Sequence, residues 1–296
     1  MAMIVIPTEL RRTLLRGGVL LGLLGLLILA GCGSSEETAV LTVEERFTRA
    51  KELFDNEDYL EAINEFTIIT LQFPGSARAA EAQYFLAECR FNRGEYLLAV
   101  FEYSTMRRSY PASPLVADAQ YKIGLSYYEL SPKSNLDQQY TRKAIDEFQA
   151  FVEYYPSHPS AVDADAKIRE LTDKLAKKQY ETARLYVTMQ YYTAALFYFE
   201  DIIEKYHDTN YAPLAYLGKV EVLMEKKRYQ EAEAQVDRFI ERFPDNVLRG
   251  RADQLKKSIE QELGKDKKTQ GSDSGGTAGR VHRVDVPSAK GEWGNG

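Results

Sequence analysis

Apolar positions in the body of this chain recur at three- and four-residue steps, the period of one helix face. Ala62, Phe66 and Ile69 share such a face, and the run stops at Pro74, which cannot continue a helix. The same phrase returns along the chain. An alanine is followed twelve positions later by proline at Ala62/Pro74, Ala99/Pro111, Ala144/Pro156 and Ala232/Pro244, and by histidine at Ala195/His207. A tyrosine stands three before the alanine at Tyr59, Tyr96, Tyr192 and Tyr229. An aromatic stands four after it at Phe66, Tyr103, Phe148 and Phe199. Twelve residues upstream, Ala50, Ala87 and Ala183 mark a second helix, with Val220 in that place in the fifth unit; in the longer third unit Gly124, twenty upstream, takes the role. Five helix hairpins are predicted, each too small to bury its own apolar face and together forming one continuous core.

Two residues past each closing position stand Ser76, Ser113, His158, Thr209 and Asn246, four of them good helix N-cap types. Pro114 and Pro159 follow directly, where proline suits a first helical turn. His158 and His207 therefore read as turn residues rather than catalytic ones. The small alanine, the bulky aromatic and the closing proline resemble the tetratricopeptide repeat, which implies an all-α solenoid of five hairpins.

The spacing departs from a regular array of about 34 residues. The closing positions 74, 111, 156, 207 and 244 are separated by 37, 45, 51 and 37 residues. An insertion is expected near 131–139, with Pro132 and Asn135 as turn signals. The fourth unit reads as having a long first helix, roughly 161–188, whose Asp173, Lys174, Lys177 and Lys178 form a solvated face. The units fall at about 43–75, 76–112, 113–157, 158–208 and 209–245, followed by a capping helix over 246–262. Residues 263–296 are Gly/Ser/Lys-rich and read as a disordered tail, with Trp293 either a passive part of it, the preferred reading, or a short recognition anchor.

Composition adds 20 Tyr and 13 Phe, an unusually large aromatic supply. In tetratricopeptide geometry, the first-helix positions fifteen and eight before the reference alanine face the concave side. They give Phe47 and Phe54 in the first unit and Tyr84 and Phe91 in the second, and a further 37-residue step, taken before the insertion, gives Tyr121 and Tyr128. Two ladders result, Phe47, Tyr84, Tyr121 and Phe54, Phe91, Tyr128, which either pack inside the solenoid or line its groove, the groove reading being preferred. Such rings supply large contact area at low entropic cost. Glu44, Asp55, Glu81, Glu88, Asp118 and Glu129 flank them, so an acidic, apolar groove is expected.

At the N-terminus, Arg11, Arg12 and Arg16 precede an apolar run from Val19 to Leu29, then Leu29-Ala30-Gly31-Cys32. This is the layout of a secretory signal peptide over 1–31. Leu-Ala-Gly-Cys resembles a bacterial lipoprotein processing box, which implies cleavage before Cys32 and an N-acyl diacylglyceryl modification there. Residues 32–42 would be the lipidated linker. Gly33, where an aspartate would favour inner-membrane retention, points by that resemblance to the outer membrane. Removing 1–31 takes the formal charge from −6 to about −8, no footprint for nucleic acid. Cys89 is then the only unmodified thiol and reads as a small buried side chain.

Catalytic chemistry finds no support: there is no Gly-rich phosphate loop, HExxH, nucleophile elbow or Cys–His pairing. Two cysteines and three histidines make neither a disulfide framework nor a metal site, and no cofactor is expected.

A lipoprotein box followed by five irregularly spaced tetratricopeptide units resembles the YfiO/ComL family of outer-membrane protein assembly lipoproteins. Leu136-Asp137-Gln138, Phe148 to Pro156 and Asp173-Lys174-Leu175-Ala176 carry the likeness, which spans about 29–262. The resemblance implies a non-catalytic periplasmic scaffold of the barrel-assembly machinery, acting alongside other assembly lipoproteins. Its N-terminal repeats would receive unfolded outer-membrane proteins, and its C-terminal repeats would dock on a POTRA domain of a BamA-like barrel insertase. The exposed face of the fourth hairpin, with Tyr198, Asp201, Glu204 and Lys205, is the docking candidate. The alternatives are a pilotin-like or Tol-associated lipoprotein of another envelope machine, or a peptidoglycan-linked enzyme or its regulator.

Overall fold

The computed structural model describes residues 41–273, with side chains through residue 265. Among them are eleven helices and no strand: α1 (Val43–Asp55), α2 (Tyr59–Gln72), α3 (Ala79–Asn92), α4 (Tyr96–Ser109), α5 (Val116–Glu129), α6 (Gln139–Tyr154), α7 (Ala161–Thr188), α8 (Tyr192–Lys205), α9 (Ala212–Glu225), α10 (Tyr229–Arg242) and α11 (Arg249–Asp273). Successive helices pair into five hairpins closed by α11, each element packing on its chain neighbours. This is an α-solenoid of tetratricopeptide type. The odd-numbered helices of successive hairpins also touch one another at α1/α3, α7/α9 and α9/α11, which puts them on the tighter, inner curve.

The reference alanines 62, 99, 144, 195 and 232 are fully buried, as are Phe66, Tyr103, Phe148 and Phe199 one turn later. Each ring needs a bare surface opposite. Gly124 supplies it for Phe148 and Gly218 for Phe199, since a Cβ on either glycine would lie 2.7 Å and 2.5 Å from those rings. Four hairpins bend through a three-residue link whose middle residue is left-handed: Glu57, Gly94, Gln190 and Lys227 have φ of 65°, 74°, 61° and 55°. In the first, Asp58 N–H donates to the Leu53 carbonyl and Glu57 N–H to that of Phe54, the Schellman arrangement that satisfies helix-end carbonyls.

The connections between hairpins differ from the sequence reading. Helices begin at Ala79, Val116, Ala161, Ala212 and Arg249, three residues beyond the expected caps. Ser76, Ser113, His158, Thr209 and Asn246 instead build the turn that precedes each helix; Ala79 N–H, for example, donates to the Ser76 carbonyl. Three of their side chains serve that turn: Ser113 Oγ, His158 Nδ1 and Asn246 Oδ1 accept from the N–H two residues on, at 3.3, 3.2 and 2.9 Å. Pro114 and Pro159 therefore precede their helices, whereas Pro213 occupies the first turn of α9. Only at α1 does the expected chemistry operate on the helix itself, through a Thr42/Glu45 capping box.

Helix α7 has 28 residues against 14 in α3. Ala161, Ala164, Leu171 and Leu175 pack with α6, and Ala183 packs with α8, so one helix closes the first three hairpins and opens the fourth. Its 14 additional residues, at 1.5 Å each, correspond to an offset of about 21 Å along the helix. The polar face expected to be solvated is a brace instead. Lys174 Nζ donates to Ser131 Oγ (3.0 Å) and Lys178 Nζ to the Leu136 carbonyl (2.5 Å), pinning the inserted loop 130–138. Asp173 accepts from the Asn210 N–H at 2.8 Å. Helix α11 runs past 262 to Asp273, through lysines and glutamines that favour helix despite the glycines that suggested a tail.

Candidate functional site

The inner helices α1, α3 and α5 bring the two aromatic ladders into one row, with one exception. Phe47 is only 6% exposed and packs edge-on against Phe66 (5.9 Å) and Phe85 (6.4 Å), so it belongs to the core rather than the groove. Phe54, Tyr84, Phe91, Tyr121 and Tyr128 are half-buried, each with part of its ring against the core. Phe85, off both ladder positions, was missed; it stacks on Phe66 at 5.8 Å and meets Phe54 at 5.2 Å.

The flanking carboxylates of the expected acidic groove are offset in part by cations from the same helix or the next hairpin. Glu44 and Glu81 both hold Arg78 (2.9 Å each), Asp55 holds Lys51 (2.8 Å) and Glu88 holds Lys122 (2.9 Å). Asp118 lies 3.4 Å from His158 Nε2. These cations sit over the rings: Arg78 over Phe47 (4.8 Å), Lys51 over Phe85 (4.1 Å), Lys122 over Phe91 (4.8 Å) and Lys167 over Tyr128 (4.3 Å). Such placements are attractive because the ring face carries negative potential. The row is thus aromatic and crossed by ion pairs, with its carboxylates outnumbering its cations: Arg78 is shared by Glu44 and Glu81, and Lys51, Lys122 and Lys167 are paired with Asp55, Glu88 and Asp163.

The tyrosine hydroxyls complete it. Tyr121 donates to Asp163 Oδ2 (2.5 Å) and Tyr128 to both Glu170 oxygens (2.9 Å), each bridging α5 to α7. Burial, reinforced by the adjacent carboxylates, pushes the Tyr128 phenol up to about 12 and raises Tyr84 and Tyr121 as well. Behind the row, buried Tyr103 donates to Glu88, whose other oxygen takes Lys122. Burial, then Glu88, pushes the neighbouring Cys89 thiol up to about 12.

A periodic polar signal also went unread. In successive hairpins one polar pair joins the two helices: Arg46–Glu65 (2.5 Å), Gln83–Glu102 (2.8 Å), Gln120–Glu147 (2.7 Å) and Gln179–Asp201 (3.1 Å). The fourth pair alters the docking reading. Asp201, with its side chain 12% exposed, is held by Gln179 and by Lys205 at 2.5 Å and does not present itself outward. Tyr198 stacks on Tyr186 at 5.4 Å, and only Glu204 and Lys205 of the four are exposed. The exposed aromatics of this hairpin are Phe197 (67%) and Tyr191 (59%).

Cys32 lies outside the described residues, as do residues 1–31, expected to be a signal peptide, and Trp293. Among the described residues, no group of acidic, histidine or cysteine side chains is arranged to hold a metal, and no helix is long and apolar enough to cross a membrane.

Comparison with known proteins extends the picture. The outer membrane protein assembly factor BamD of Rickettsia prowazekii (strain Madrid E) is 28% identical over 208 residues, covering 70% of this chain and 83% of that protein. BamD of Caulobacter vibrioides is 26% identical over 200 residues, covering 66% of each. Among solved structures, the TPR2AB domain of yeast Sti1 aligns with 75% of this chain and 84% of its own at 16% identity and a TM-score of 0.39. Residues 41–225 match the YfiO family, described as outer membrane lipoprotein; with more than half of its length matched, the chain belongs to that family.

Proposed function

We propose that this chain is a non-catalytic scaffold for outer-membrane protein assembly, held at the periplasmic face of the outer membrane by acyl chains on Cys32. The inner row of the first three hairpins receives unfolded barrel proteins. The last hairpins dock on a POTRA domain of a BamA-like insertase, with Tyr198, Glu204 and Lys205 on the docking side, and other assembly lipoproteins complete the complex. The observation that carries the reading is the row of rings overlaid by Lys51, Lys122 and Lys167. A barrel segment ending in an aromatic residue offers a ring for the apolar rim, and its carboxylate would compete with Asp55, Glu88 or Asp163 for the lysine each now holds.

The test is titration of the chain with a C-terminal peptide of a barrel protein. Tyr128→Ala and Lys167→Glu are each expected to weaken binding by about 5–30-fold, the effect of removing roughly 1–2 kcal/mol at an interaction hot spot. Both side chains sit at the rim, so helicity is expected to hold. Unchanged affinity with unchanged helicity would remove the row from substrate capture.

A further inference from the structure

The fourth hairpin leaves a cleft of about 650 Å³ beside its link, lined by Tyr191, Phe197 and Tyr198 on one side and Lys226 of the fifth hairpin on the other. Tyr191 and Phe197 are exposed while Tyr198 is half-buried, and Lys226 has no ion-pair partner among the described residues. An aromatic wall beside one free cation fits an apolar or aromatic group followed or preceded by a carboxylate.

The chain carries such a group close by. Helix α11 runs alongside α9 and α10, and its Leu263 packs into the cluster that contains Tyr229, the first residue of α10. The short turn after Arg242 sends α11 back along the 14-residue α10, so Leu263, 14 residues beyond Arg249, comes level with the link 226–228 that borders the cleft. The ten residues from there to Asp273 extend the helix by about 15 Å on the same side. Residues 274–293 then lead through Ser274-Gly275-Gly276 to Glu292-Trp293. Twenty residues span at most roughly 66 Å when fully extended. The other exposed phenylalanine in the equivalent helix position, Phe101, lies in the second hairpin, at the opposite end of the solenoid.

We propose that the cleft is occupied by the chain's own C-terminal segment, with the Trp293 indole against Tyr191 and Phe197 and the Glu292 carboxylate on Lys226. The tether sets an effective concentration on the order of millimolar, so an intrinsically weak contact is populated. The segment covers exposed aromatic surface on this hairpin and is displaced by any partner that binds the same rings more tightly.

Trp293 is the single tryptophan, so its fluorescence reports this site alone. The full chain in detergent is compared with a synthetic peptide of residues 274–296. The expected result is a blue-shifted emission and a several-fold lower acrylamide quenching constant in the chain, independent of protein concentration. Phe197→Ser and Lys226→Glu, both at exposed positions, are each expected to return the signal to that of the peptide at unchanged helicity. Combining Lys226→Glu with Glu292→Lys is expected to restore shielding. Peptide-like emission from the unmodified chain overturns the proposal. So does shielding that survives both cleft variants, or shielding that grows with concentration and so belongs to a second copy.

Discussion

Gly218 provides the sharpest check on how neighbouring hairpins fit. A Cβ there would stand 2.5, 2.7 and 3.1 Å from three atoms of the Phe199 ring, where carbon atoms normally rest at about 3.5–4.0 Å. The ring is fully buried and flanked by Tyr180 at 6.0 Å, so it has little room to yield. Overpacking of this kind costs about 1–3 kcal/mol, while replacing a helical glycine by alanine returns roughly 1 kcal/mol. Gly218→Ala is therefore expected to destabilise by about 0–2 kcal/mol. In a Phe199→Leu background the clashing ring edge is gone, and the same change is expected to stabilise by about 1 kcal/mol. The coupling between the two sites then comes to about 1–3 kcal/mol. Urea unfolding of the four proteins, followed by circular dichroism, measures it. If Gly218→Ala stabilised both backgrounds equally, the ring would not rest on this glycine and the packing argument would be refuted.

Other outcomes follow from the same side chains. Cys89, buried and with its thiol pushed up to about 12, is expected to resist alkylation at pH 8 in the folded chain and to react fully in urea; rapid labelling under native conditions would contradict its burial. Tyr84, Tyr103, Tyr121 and Tyr128 hold their protons more tightly folded than unfolded, chiefly through burial. Their stabilisation is therefore present below about pH 10 and lost as pH rises toward 12, so the urea midpoint should fall across that window. A midpoint flat to pH 12 would oppose it. Cys32→Ala is expected to move the chain from the membrane pellet to the soluble periplasmic fraction; continued sedimentation with the membrane would point to an anchor other than acyl chains.

The hairpins and the long α7 were legible because the alanine, aromatic and proline positions report contacts between helices adjacent in the chain. Partnerships reaching into the next hairpin were not. Glu44 and Glu88 read as an acidic surface, and the sequence did not show that Arg78 and Lys122, each 34 residues on, pair with them. A single residue type can also serve two local structures, as serine and asparagine cap either a helix or the turn before it. Burial along the ladders divides by chemistry. Phe47 has no polar tip and sinks under Arg78, whereas Tyr121 and Tyr128 stay at the rim, where their hydroxyls reach Asp163 and Glu170. For the docking quartet, helical spacing placed Asp201 with Lys205 but could not show that Gln179 turns it inward.

Photocrosslinking in the cell envelope addresses the scaffold role most directly, with a photoreactive residue at Tyr128 on the inner row or at Leu71 on the outside. Unfolded outer-membrane proteins are expected to crosslink from position 128 and not from 71, in complexes that also contain the barrel insertase. Recovery of pilus or Tol components without the insertase, or equal crosslinking from both positions, would contradict the account.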